Sequence, residues 1–309
     1  MLSFSQKTQL IAEKIMQELF HYRRVINCQH IQQMDCHVLH HMKIKKFIET
    51  SQPIHFVLPA FPAKSPNPEK TAGILPDLGE RLSLKFLDQL CQDIQSIYPP
   101  GAQVCICSDG RVFNDLVNVS DTNVDAYAQE IKNIIRMDNL TNLTTFSLDD
   151  FYHLQNYAEM REKLTQIYGE PMVELKEKVK TNTSIKSLFN GIHKFIFEDY
   201  LMSSTSLSKN QLRHFTKEIT YQVIQRSNAW GNLIKKYFPD AVRLSIHPQP
   251  CHSEKFGIML LQSSNVWATP WHRVLLSIGN KNILIKKKEA IAMGAKPIFI
   301  NYQFSHYMM

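Results

Sequence analysis

One stretch constrains the fold of this chain more than any other. Residues 53–110 read "PIHFVLPAF", then a proline-braced loop, then "PDLGERLSLKFLDQLCQDIQSIY", then "PPGAQ" and "VCICSDG". The first and last segments are short apolar runs with strand character, and the middle is a helix. Asp77 and Glu80 form the D-x-x-E pattern of a capping box, and Leu82, Phe86, Leu90, Cys91, Ile94 and Ile97 trace an apolar stripe. Strand, helix, strand at this spacing predicts a βαβ unit, which places two parallel strands in one sheet. A helix near 121–136 and a strand at "TTFSL" continue the alternation.

The rest of the chain is arranged around that unit. Helical spacing of Leu10, Ile11, Ile15, Met16, Leu19 and Phe20 predicts a helix over 5–24, and a second helix is expected over 36–50. From 149 to 238 the pattern is helical without strand-like alternation. "VRLSIHP", "FGIMLLQ" and "HRVLLSIG" then return to strands. The expected fold is α/β: a Rossmann-like, mostly parallel sheet flanked by helices, with a helical insertion or subdomain. The expected division is 1–148 for the first part of the core, 149–238 for the helical subdomain, and 239–309 for strands completing the core.

Composition bounds the function. Of 309 residues, 44 % are hydrophobic, enough for a sizeable core, and 10 glycines argue against a flexible multi-domain string. Net charge is +7, from 35 Lys and Arg against 28 Asp and Glu. Short basic clusters at "KIKK" and "KNILIKKK" lack the aromatic interleaving of a stacking platform, so nucleic acid is an unlikely partner. The first residues lack a basic start followed by an apolar block, so no secretory signal is expected. No apolar run reaches the roughly 18 residues a membrane span needs. Six cysteines in so long a chain do not form a disulfide framework, and a reduced, cytoplasmic protein is expected. Cys105 and Cys107 share one strand face as small core residues.

Several familiar signatures are missing. The chain has no G-x-G-x-x-G, no G-x-x-x-x-G-K-[ST], no G-x-S-x-G and no H-E-x-x-H. "CHVLHH" (Cys36, His37, His40, His41) invites a metal reading, but no second half-site accompanies it, and no metal is expected.

What remains is a set of polar loops at strand ends. Strands at 54–58, 103–107 and 242–246 run into Pro59–Asn67, Ser108–Asp115 and His247–Ser253. Ligands in open parallel sheets sit beyond the carboxyl ends of strands, so parallel neighbours would bring Lys64, Asp109, Arg111 and His247 to one crevice. Pro59, Pro62 and Pro66 stiffen the first loop and pre-set Lys64, with Ser65 beside it. The next helix offers free N–H groups to an anion, with Arg81 in its first turn; Asp77 and Glu80 themselves read as plain caps. Strand alternation puts Arg243, Ser245 and His247 on one face. His272 in "TPWHR" is a further candidate.

"LPAFPAKSPN", "ILPDLGE", "ICSDGRVFND", "RLSIHP" and "TPWHRV", in that order, resemble the pyoverdine/dityrosine biosynthesis family, the isocyanide (isonitrile) synthases. The resemblance covers roughly residues 28–280. It implies an enzyme that converts the amino group of an amino acid, tyrosine or tryptophan, to an isocyanide. Ribulose 5-phosphate is the implied one-carbon donor, and no metal or redox cofactor is implied. An iron(II)/2-oxoglutarate oxygenase is the implied functional partner, and a homodimer is entertained. A sibling branch makes N-formyl tyrosine, and a non-catalytic anion binder is the remaining alternative. The implied catalytic set is Lys64, Asp109, His247 and His272; Ser65, Arg81, Arg111 and Arg243 are the implied substrate contacts. Lys64 is expected to be needed for turnover and not for folding. The tail after about 281 matches nothing in this pattern.

Overall fold

A computed structural model of the chain describes residues 3–24, 34–153, 156–202 and 207–309. Cys28 lies outside the described residues. The chain opens with α1 (Phe4–His21) and α2 (Val38–Glu49), then β1 (Ile54–Pro59), α3 (Leu78–Ile97) and β2 (Ala102–Cys107). The short α4 (Gly110–Phe113), α5 (Asp121–Met137) and β3 (Leu143–Phe146) follow. The helical stretch comprises α6 (Leu148–Tyr152), α7 (Tyr157–Tyr168), α8 (Met172–Thr181), α9 (Thr183–Leu201) and α10 (Lys209–Tyr237). β4 (Val242–Ser245) and β5 (Phe256–Gly257) return to the first sheet.

That sheet has the order β3-β2-β1-β4-β5, and every pairing in it is parallel. The direction of winding therefore switches between β1 and β4, where open α/β sheets form their crevice. Register places Pro59 beside Cys107 and Cys107 beside Phe146, so the loops leave the sheet at one level. Both faces are covered. Ile54, Phe56 and Leu58 of β1, with Val104 and Ile106 of β2, pack on α1, α2, α3 and α5. Val57 and Cys107, with Cys105 at the margin, pack on α7 and α10 through Leu164, Trp230 and Leu233. The helical stretch thus shares a core with the sheet. Among the described residues no helix is long and apolar enough to cross a membrane.

The capping box at α3 forms: Asp77 accepts from Gly79 N, and Glu80 reaches back to Asp77 N. The basic clusters serve partly as ties. Lys43 donates to Ala241 O at 2.7 Å, Lys46 pairs with Asp240, and Lys287 donates to Pro68 O and Thr71 O.

Part of the 239–309 segment expected to complete the core builds a second sheet instead. β6 (Val274–Ile278), β7 (Lys281–Ile285), β8 (Lys296–Ile300) and β9 (Gln303–Met308) take the order β7-β6-β9-β8, with α11 (Lys287–Ala292) between β7 and β8. "HRVLLSIG" therefore belongs to this sheet and not to the first. Val274, Leu276, Ala290, Phe304 and Tyr307 form its own small core.

Two buried imidazoles sit among the helices below β5. His37 and His40 are 4 % and 2 % exposed, and both rings pack on Phe256. Neither nitrogen of His37 has a partner among the described residues. Burial, helped by the charges of Arg23, His40 and His252, pushes His37 down to about 4. Burial, partly opposed by a hydrogen bond to the Glu254 backbone and helped by Lys43 and Arg23, pushes His40 down to about 4. Both are neutral in the folded protein while the unfolded chain takes up protons near pH 6.5. Stability is therefore untouched above that pH and falls between about 6.5 and about 4, by up to roughly 3 kcal/mol per histidine. Denaturant midpoints at pH 7.5 and 5 should fall less for the His37→Leu/His40→Leu double variant than for the parent; an unchanged drop would remove these two residues from the acid response.

Candidate active site

The loop after β1 is shaped by strain and by contacts on every side. Phe61 has a φ of +56°, a conformation that a bulky residue adopts only when held there. Its ring is buried against Trp271, with ring centroids 5.3 Å apart, and its carbonyl accepts from Ser108 Oγ at 3.0 Å. Ser65 N donates to Trp271 O at 2.9 Å. A Cβ on Gly110 would lie 2.0 Å from Pro62 O, so glycine is what lets the turn after β2 close onto this loop. Asp109 is carried to the loop by that contact.

Lys64 sits in the middle and is 3 % exposed. Its ammonium donates to Asp77 Oδ2 at 2.7 Å, to Glu80 Oε2 at 2.8 Å and to Pro270 O at 3.0 Å. An ammonium has three donors, and all three are used. Tyr127, fully buried on α5, donates to the other oxygen of Glu80 at 3.1 Å. Burial works against the charged lysine, but the Asp77 and Glu80 carboxylates outweigh it and hold Lys64 above its ordinary value. Asp77 is raised by burial and by the negative charge of Glu80, against the pull of Lys64. Asp77 and Glu80 are therefore more than caps. They are the counter-ions that fasten the loop to α3 and to the 3₁₀ turn Pro270–His272.

Above this latch lies a cavity at the ends of β1, β2 and β4. Lys64, Ser65, Asp109, His247 and His272 all line it, so three of the four residues expected to converge from strand ends, Lys64, Asp109 and His247, do so, and Arg111 does not. Four polar atoms in its walls have no partner among the described residues: Asp109 Oδ1, His247 Nδ1, Thr269 Oγ1 and His272 Nδ1. Burial raises Asp109 to about 7. Burial, reinforced by Arg24 and Lys255, lowers His247 to about 4. Burial and the charges of Lys70 and Arg273 hold His272 well below the ordinary histidine value. At neutral pH the cavity therefore offers two neutral imidazoles and one carboxyl group near its titration midpoint. The remaining wall is mostly apolar, with Asn114, Asp199 and Ser227 as its other polar members, and the helical stretch supplies much of it through Ile192, Phe195, Ile196 and Val223.

The other predicted contacts are placed elsewhere. Arg81 points away from the cavity to Asp138, with its side chain 46 % exposed. Arg111 is buried in a separate cleft beside β2 and β3, held by Asp121, Asp125 and Asp149 and stacked on Tyr157. Arg243 donates to Gly231 O at 3.1 Å and faces Glu254, on the α10 side of β4. The three arginines correct the sequence expectation: each already has an acid partner, and none lines the cavity. The N-terminus of α3 is likewise occupied, by the Asp77 carboxylate. Ser65 lines the cavity but donates to Asp199 Oδ1 at 3.2 Å. Asp199, on α9, also pairs with Lys70 at 2.7 Å and ties the loop to the cavity wall. Thr269, Trp267 and Asp199 escaped the sequence reading. Thr269 lies three residues before His272, which was the one available signal; Asp199 carried none.

A parallel sheet with an apolar cavity at its switch point, lined by unpaired acid and base groups, defines an α/β enzyme of the doubly wound kind. The chain belongs to the pyoverdine/dityrosine biosynthesis protein family, whose family model matches residues 44–296. It is 43 % identical over 305 residues to the L-tryptophan isonitrile synthase AmbI2 of Fischerella ambigua, covering 97 % of this chain and 92 % of that protein. It is 43 % identical over 271 residues to an L-tyrosine isonitrile synthase of Pseudomonas aeruginosa, covering 86 % of this chain and 83 % of the relative. The crystal structure of PvcA from Pseudomonas aeruginosa superposes with a TM-score of 0.90 at 40 % identity, over 97 % of this chain and 99 % of that one.

Removing one member of a buried ionic cluster strands the others, at a cost of about 3–5 kcal/mol. Lys64→Ala should therefore unfold at lower denaturant, against the expectation of a lysine not needed for folding. The triple variant Lys64→Met/Asp77→Asn/Glu80→Gln should recover most of that loss. A Lys64→Ala protein as stable as the parent would show that the latch carries no structural load.

Proposed function

We propose that the protein is an isonitrile synthase acting on tryptophan or tyrosine, with ribulose 5-phosphate as the one-carbon donor. The observation that carries this reading is the pairing of an apolar, partly aromatic cavity with Asp109 at its polar end. Phe113, Val117, Phe195 and Trp267 suit an aromatic side chain. The amine of an amino acid is an ammonium at neutral pH and attacks a ketone only after losing a proton. Asp109, raised to about 7, takes that proton. The free amine then adds to the ketone carbon, and loss of one water gives the imine. His247 and His272, both neutral, accept or return protons at the oxygen that leaves.

The sugar phosphate needs a cation other than Lys64, whose donors are used. Arg273 is the one this reading assigns. It adjoins His272, has no carboxylate within 4.0 Å among the described residues, and makes one hydrogen bond, to His272 O at 2.8 Å. It stands over the face of Phe195, a cavity residue.

Incubation with tryptophan or tyrosine and ribulose 5-phosphate should yield a product with an isocyanide infrared stretch and the matching mass. An N-formyl product would move the protein to the sibling branch, and unchanged amino acid across a broad panel would end the proposal. With Asp109 as base, kcat/KM should rise with pH through about 7 and level off above it. Asp109→Asn should lose roughly 10²- to 10⁴-fold in kcat and lose that pH limb; a retained limb would assign the base elsewhere.

A further inference from the structure

Arg24 follows α1 and is 5 % exposed. Its Nη1 donates to Ile246 O at 2.5 Å and its Nη2 to Ala268 O at 3.3 Å. Those carbonyls belong to the residues immediately before His247 and Thr269, two of the side chains with unpaired atoms in the cavity. The backbone of Arg24 is also held, since its N–H donates to Gly257 O at 2.8 Å. A Cβ on Gly257 would lie 2.5 Å from Arg24 O and 3.0 Å from His247 O, so glycine permits the three segments to meet. Among the described residues no carboxylate lies within 4.0 Å of the guanidinium. A buried charge without a counter-ion is costly. The paired carbonyls and the neighbouring imidazole are what this charge has in exchange.

We propose that Arg24 is a positioning residue of the active site: it bridges the two segments that carry His247 and Thr269, and its charge bears on the His247 imidazole. The bridge fixes the spacing of two groups on different loops, because one planar guanidinium reaches both carbonyls. Burial is the larger reason that His247 stays neutral, and the Arg24 charge adds to it, which leaves a nitrogen free to accept a proton or a hydrogen bond at neutral pH. Among the described residues, Arg24, Lys255 from the residue before β5 and His272 from the 3₁₀ turn act on His247, and Asp109, Lys64 and Asp199 share its cavity. Arg24 and Lys255 both disfavour the imidazolium, and Arg24 alone of the two also holds the backbone.

The role assigned to His247 rests on the proposed function, so the test reads the histidine directly. Histidine-labelled full-length protein without substrate is titrated by NMR, and His247 is assigned from the spectrum of His247→Asn. Arg24→Gln should move the His247 titration upward by about one pH unit. Arg24→Lys, which keeps the charge, should leave it in place. In the isocyanide assay Arg24→Lys should still lose about tenfold or more in kcat/KM, because one ammonium cannot hold both carbonyls in the same geometry. An unmoved His247 titration in folded Arg24→Gln overturns the proposal. Full kcat/KM in Arg24→Lys overturns the bridge even where Arg24→Gln does not fold. A wild-type protein that makes no isocyanide would refute the function while the titration still judges Arg24.

Discussion

The structure depends on one ammonium. Lys64 joins the loop after β1, the first turn of α3 and the 3₁₀ turn that precedes β6. The loop and the 3₁₀ turn lie 206 residues apart in sequence, and one ammonium bonds to all three segments at once. Prolines at 59, 62 and 66 restrict the loop before it forms, so ordering the lysine costs less entropy. Two carboxylates around one ammonium would leave an excess negative charge in a dry place, and the raised Asp77 shows how the cluster resolves it. The latch then puts His272 and Thr269 over the same cavity as Asp109.

Once the latch is set, the chemistry follows from what is left unpaired. Most polar groups near the cavity are spent: Ser65 on Asp199, Lys70 on Asp199, and Asn114 on Val119 O and Asp121. Asp109, His247, Thr269 and His272 keep polar atoms free among the described residues. Leaving a buried acceptor unsatisfied costs roughly 1–3 kcal/mol, a cost a ligand can relieve. The same burial that makes these groups expensive shifts Asp109 up and the two histidines down, toward the neutral forms that exchange protons with a reactant.

The βαβ unit was legible because its signals are local. The apolar runs, the capping box and the helical stripe each lie within a few residues, and parallel pairing follows from the crossover. The convergence of Lys64, Asp109 and His247 was legible for the same reason, since strand ends can be read and a parallel sheet aligns them, while Arg111 of the same expected set turns into a separate cleft and His272 reaches the cavity from the 3₁₀ turn before β6. The second sheet was not. Its strands are four or five residues of contact around a small core, β8 is largely exposed, and the β8–β9 turn uses Asn301 and Tyr302 at φ of +50° and +63° where glycine would have announced a hairpin. Asp77 and Glu80 were read as caps because capping is local, while their partner sits 13 and 16 residues back.

The arginines show where residue type stops being informative. Arg81, Arg111 and Arg243 were attractive because they sit beside strand ends or helix starts, yet each meets acids that a linear reading cannot assign to it. Arg24 had no motif to recommend it and Arg273 only its place in "TPWHRV", and both are buried, without a carboxylate in ion-pair range among the described residues, and next to cavity histidines. An arginine with its counter-ion is part of the scaffold. An arginine buried without one either serves backbone carbonyls, as Arg24 does, or keeps donors for an anion, as assigned to Arg273. The distinction lies in the pairing and not in the position along the chain, and it is why the roles proposed for Arg24 and Arg273 emerge only from the folded structure.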